Sequence, residues 1–199
     1  MKIQGASKWR PTLNKKRQNM KRQIRSNVFE TNSSSTHSIA ISKKPVTIGK
    51  YIYFGIGEFG WENDCVNTAN YLYTAILEQD KADELLAQLK SILDNYSIEY
   101  EFEEPKYMIG MSGYKWLDYG YVDHSNELRE FLDAIFSNED LLMRYLFGNS
   151  SVYTGNDNQD QDPSGCNIAC EEYYDWDNKK MVVNPYHNTK DFDYFYKTN

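Results

Sequence analysis

Asn67-Thr68-Ala69-Asn70-Tyr71-Leu72-Tyr73-Thr74-Ala75-Ile76-Leu77-Glu78-Gln79, and further on Ser97-Ile98-Glu99-Tyr100-Glu101-Phe102-Glu103, decide the fold class. In the first stretch Ala69, Leu72, Tyr73, Ile76 and Leu77 recur at helical spacing, which predicts a helix over about 67–79. The second alternates strictly, which predicts a half-buried strand with an acidic outer face, stopped by Pro105. Between them Leu85, Leu86, Leu89, Ile92 and Leu93 share one face of a second helix over about 82–96. Asp80 is its expected N-cap, with Glu84 in the first turn.

Further along, Leu128, Phe131, Leu132 and Ile135 predict a third helix over about 126–136. Asn138 caps a fourth over 139–147, which Gly148 stops. Upstream, Ile39-Ala40-Ile41 alternates with Ser38 and Ser42 as a short strand does, and Tyr51-Ile52-Tyr53-Phe54 reads as another. Met181-Val182-Val183 is a late strand candidate, and the last ten residues alternate acid and aromatic. No internal repeat is present. The expected fold is α+β: a small mixed or antiparallel sheet packed against about four helices.

The chain has 199 residues, 40% of them hydrophobic, and fits one domain with a real core. Seventeen tyrosines stand out. Each packs one face and keeps a hydroxyl for water or a partner. No apolar run approaches the length that spans a bilayer, and no apolar segment follows the charged N-terminus as in a secretory signal. Three cysteines, Cys65, Cys166 and Cys170, are too few for a secreted disulfide scaffold. The expected location is the cytosol, with no membrane partner.

The net charge of −7 conceals two opposite pieces. Residues 1–29 hold nine cations, Lys2, Lys8, Arg10, Lys15, Lys16, Arg17, Lys21, Arg22 and Arg25, and no acid. Taking those nine from the total leaves −16 on residues 30–199. Residues 1–27 therefore read as a flexible basic arm and residues 28–199 as one acidic domain. Lys15, Lys16, Arg17, Lys21, Arg22 and Arg25, with Trp9, suit salt-sensitive, non-specific contact with nucleic acid.

The run Arg25-Ser26-Asn27-Val28-Phe29-Glu30-Thr31-Asn32-Ser33-Ser34-Ser35-Thr36-His37-Ser38 resembles the opening of a family of uncharacterised proteins encoded by phages and prophages of Gram-positive bacteria. Gly57-Glu58-Phe59-Gly60-Trp61, Asn70-Tyr71-Leu72-Tyr73-Thr74, Tyr121-Val122-Asp123-His124-Ser125 and Thr154-Gly155-Asn156-Asp157-Asn158 resemble it as well. The resemblance implies a phage origin and a domain starting near Met20, which would make residues 1–19 an extension. It implies nothing about fold or activity.

Several polar constellations are candidates for chemistry. Thr31, Asn32, Ser33, Ser34, Ser35 and Thr36, with Glu58, form a candidate substrate-binding set, because hydroxyls and loop N–H groups cradle phosphate. His37, Asp123, His124 and Asp157 are the candidate catalytic set, since imidazole titrates near neutrality and carboxylates orient it. The same oxygens and imidazoles are compatible with a divalent metal cofactor. Against this, Ser, Thr and Asn make ordinary turns, and Asp123 or Ser125 serves equally as a helix cap. The loop from Asp160 to Glu171 follows an EF-hand outline, but Pro163 and Asn167 break it. Cys65, Cys166, Cys170, His124 and His187 would be a zinc set, but Cys166-x-x-x-Cys170 lacks knuckle spacing.

Two main functions follow. The first is a host-takeover or anti-defence factor that binds a basic surface on a host protein through its acidic, Tyr-rich body. The second is a small hydrolase or transferase acting on a nucleotide or phosphorylated substrate through the Ser/Thr/His and Asp/His stretches. A virion or assembly component is a third possibility. Convergence of the polar stretches in space would favour the enzyme.

Overall fold

The structure is a computed structural model, and it describes residues 35–60, 64–111, 115–156, 168–175 and 177–198. The arm with its six candidate cations, Thr31–Ser34 and Asp157 lie outside those residues. So do Cys166 and most of the loop from Asp160 to Glu171.

The fold is α+β. Strands β1 (Ser35–Ser42), β4 (Asp64–Val66), β9 (Ser151–Asn156) and β12 (Phe192–Thr198) form an antiparallel sheet in the order β12-β1-β9-β4. Two parallel pairs accompany it: β2 (Tyr51–Phe54) with β5 (Glu99–Phe102), and β3 (Glu58–Phe59) with β8 (Tyr121–Val122). Two antiparallel pairs complete the set, β6 (Tyr107–Ile109) with β7 (Lys115–Leu117) and β10 (Glu172–Asp175) with β11 (Lys180–Val183).

Helices α1 (Thr68–Leu77), α2 (Ala82–Asn95), α3 (Arg129–Phe136) and α4 (Glu139–Phe147) supply the other layer. Helix α1 is buried on nearly every side, from Tyr71 through Leu77 without a break. A helix that is apolar all round belongs at the centre of a core. The Asn67 side chain caps it, accepting from the N–H groups of Ala69 and Asn70. Helix α4 begins as expected, with Asn138 accepting from Leu141 N.

Strand β1 divides the interior. Its side chains alternate between faces. Ile39 and Ile41 join Tyr71, Leu72, Phe131 and Leu142 in the main core, while Ala40 packs with Tyr153, Ala169 and Phe192. By the same alternation Ser35 and His37 face the helices.

Three local expectations are corrected. Strand β1 extends well beyond Ile39–Ile41, because β9 and β12 pair along it and supply backbone partners for its polar residues. Ser35 and Thr36 thus belong to a buried strand rather than a loop. Asp80 does not cap α2; Lys81 occupies that position without a side-chain bond, and Asp80 faces Arg129 at 3.7 Å instead. The third helix starts late, at Arg129, after a 3-10 turn over Ser125–Leu128.

Candidate functional site

The site is built where the N-terminal half of β1 meets α1 and the loop after β8. His37 has no exposed surface. The Ser35 hydroxyl lies 3.2 Å from its Nε2, and the Tyr71 hydroxyl lies 3.0 Å from its Nδ1. Ser35 precedes His37 by two residues, so both side chains leave the same face of the strand. Tyr71 arrives from the first half of α1 and packs its ring at 5.9 Å from the imidazole. Phe59 closes edge-on against Tyr71 at 5.4 Å.

The loop carrying Asp123 and His124 is held over this pair by a short ladder. Glu58 and Phe59 run parallel to Tyr121 and Val122, and Asp123 N donates to Phe59 O at 2.9 Å. The end of α1 grips the same loop. Glu78 Oε2 accepts from Val122 N at 2.9 Å, and Gln79 Nε2 donates to Ser125 O at 3.1 Å. Gly60 makes the close approach possible. Its φ of +149° suits glycine, and a Cβ there would stand 2.6 Å from Asp123 Cβ and 3.5 Å from Ser35 Oγ.

His124 adopts a left-handed backbone with φ of 55°. Its ring stands 3.9 Å from the Asp123 carboxylate and 3.7 Å from that of Glu127. Asp123 and His124 are partly open to solvent, with side chains 28% and 38% exposed. Strand β12 seals one flank. Tyr196 donates its hydroxyl to Glu127 O, and Thr198 donates to the Glu127 carboxylate.

Electrostatics follow from this layering. Burial pushes the His37 imidazole down to about 4. Asp123 opposes that shift, because its carboxylate charge and its backbone carbonyl both favour the protonated ring. His124 adds to it. His37 is therefore neutral at physiological pH. Burial also raises the Tyr71 phenol, which stays protonated, and the Glu78 carboxyl.

The structure thus brings together Ser35, His37, Asp123 and His124 from the candidate set. Glu58 reaches the neighbourhood through its pairing with Tyr121, although its side chain points to solvent. Thr36 lies on the opposite face of β1. Gly57 N donates to Thr74 Oγ1 at 3.2 Å, and Thr154 pairs with His37 across β1 and β9. Tyr71 and Glu78 were not singled out from sequence. Neither falls among the apolar positions that recur at helical spacing, and only the fold shows Tyr71 spending its hydroxyl on His37.

Of the zinc set, Cys166 and the Cys65 side chain lie outside what is described, and other members have different partners. Cys170 donates its thiol to Glu172 O, and His187 bonds Ile168 O. Among the described residues no three His, Cys, Asp or Glu side chains cluster to hold a metal. No described helix is long and apolar enough to cross a membrane. No family model, curated protein or solved structure matches the chain.

Proposed function

We propose that the protein is a small hydrolase or transferase acting on a nucleotide or phosphorylated substrate. The observation that carries this reading is the chain Ser35 Oγ, His37, Tyr71 Oη, at 3.2 and 3.0 Å. A nucleophile, a base and a group that orients the base are the parts that covalent catalysis requires. The reading uses the tautomer in which Nδ1–H donates to Tyr71 and Nε2 faces the Ser35 hydroxyl.

In the first step Ser35 Oγ bonds to phosphorus, its proton passes to His37 Nε2, and the bond to the leaving oxygen breaks. The imidazolium so formed is stabilised by the Asp123 carboxylate and carbonyl, the two groups that draw the His37 pKa upward. His124, between Asp123 and Glu127 and open to solvent, is placed to protonate the leaving oxygen. Water or a second acceptor then attacks the Ser35 phosphoester and releases the serine. A phosphate facing Asp123 and Glu127 needs its charge offset. Mg²⁺ carried in by a nucleotide would supply that offset, and Asp123 and Glu127 are the residues that would help hold it.

The test uses a fluorophosphonate probe, which reacts with activated serines and needs no knowledge of the substrate. Intact-mass and peptide analysis should place the adduct on Ser35. Ser35→Ala and His37→Gln should each abolish it. Because Ser35 is only 2% exposed, the covering layer must open first, and labelling should be slow. No adduct, together with no turnover of a panel of Mg-nucleotides and phosphomonoesters, would sink the reading.

A further inference from the structure

The outward face of the β2–β5 pair has a composition suited to cations. Tyr51 pairs with Glu99 and Tyr53 with Glu101. Alternation turns Ile52 and Phe54 into the core and leaves Tyr51, Tyr53, Glu99 and Glu101 outside. Tyr51 is 52% exposed and Tyr53 43%. The Tyr51 hydroxyl donates to Glu101 Oε2 at 3.0 Å, which holds ring and carboxylate side by side. Desolvation raises the Tyr53 phenol, and the charges of Glu103 and Glu101 add to it. Phenol faces set among carboxylates receive guanidinium and ammonium groups through ion pairs and cation–π contact. The same charges repel nucleic acid.

The chain carries its own complement. Residues 2–25 hold nine cations and no acid. Tethering gives that segment an effective concentration in the millimolar range at any surface of its own domain. Reach is no obstacle, because the residues that precede Ser35 can span roughly 110 Å when extended. We propose that the basic segment 2–25 docks on the Tyr51/Tyr53/Glu99/Glu101 face of its own chain. This contact is independent of the Ser35–His37 site. It has a regulatory consequence: cations held on the face are withheld from phosphates, so an acidic polymer and the face compete for one segment.

The full chain is treated with a carbodiimide, which joins lysine to carboxylate without a spacer, and the products are mapped by mass spectrometry. An equal mixture of light and isotopically heavy protein separates links within a chain from links between chains. Lys2, Lys8, Lys15, Lys16 or Lys21 should link to Glu99 or Glu101 within one chain. The links should fade when ionic strength rises from about 0.01 M to about 1 M, as the screening length drops from roughly 30 Å to roughly 3 Å. Tyr51→Ser with Tyr53→Ser keeps both carboxylates and should still lower the yield. In a parallel digest, Glu99→Gln with Glu101→Gln should speed trypsin cleavage between Lys15 and Arg25 by roughly tenfold. These substitutions are at exposed positions and leave the core intact. Links to carboxylates elsewhere, links only between chains, or unchanged cleavage would each overturn the proposal.

Discussion

The Tyr71 hydroxyl lies 3.0 Å from Nδ1 of His37, and so ties the buried first half of α1 to the middle of β1. A polar pair this deep is tolerated only because both partners are satisfied. Tyr71→Phe keeps the ring and its contact with Phe59 but leaves Nδ1 without a partner. The expected loss is about 1–3 kcal/mol of stability. Urea denaturation of the two proteins at pH 7 measures it, and a difference indistinguishable from zero would show that the bond contributes nothing.

Stability should fall in mild acid because of His37. Its folded pKa is depressed from 6.5 to about 4, so the unfolded chain binds the proton first. The stabilisation is present above the unfolded value and is lost as pH falls through 6.5 toward 4. The full window corresponds to about 3 kcal/mol. Denaturation midpoints of the wild type and His37→Gln should therefore converge as pH falls across that range. Parallel curves would contradict the buried, neutral assignment.

Much of the architecture was legible from local pattern. Helix α4 runs over the residues its caps imply, and α1 and α2 end within two residues of the expected limits. Strand β2 covers Tyr51–Phe54 as read. What escaped was set by long-range pairing. The hydroxyl run Ser35–Thr36 looks like a loop because Ser and Thr favour turns, yet it pairs with β9 and lies buried. The site shows the same limit. His37, Asp123 and His124 were visible as chemistry-bearing residues, but nothing local could tell that Tyr71, on an apolar helix, would orient His37.

Gly60 should resist substitution. Alanine there is strained at φ +149°, and its Cβ would meet Asp123 Cβ at 2.6 Å, a backbone-proximal atom with little room to yield. Gly60→Ala should cost about 1–3 kcal/mol. It should also push Asp123 away from His37 and remove the charge that opposes the downward shift. The His37 pKa, followed by imidazole NMR, is thus expected to drop below its wild-type value. An unshifted titration with intact stability would show that the loop does not depend on the close approach.

Glu78 separates a hydrogen-bonding role from a charge role. Its Oε2 accepts from Val122 N at 2.9 Å, and the Ser125 side chain also bonds it, so the carboxyl holds the loop that delivers Asp123 and His124. Glu78→Ala leaves the Val122 N–H unsatisfied. At about 1–3 kcal/mol for that loss, exchange of the Val122 amide should quicken by roughly tenfold to a hundredfold. Glu78→Gln keeps a carbonyl acceptor and should hold the loop. Burial raises the Glu78 pKa, so the wild type binds its proton more tightly when folded. That contribution is full below the unfolded value of 4.5 and disappears as pH rises through the folded value. The glutamine variant carries no such titration and should gain on the wild type as pH rises toward neutrality. If alanine and glutamine quicken Val122 exchange equally, the carboxylate charge rather than the hydrogen bond holds the loop.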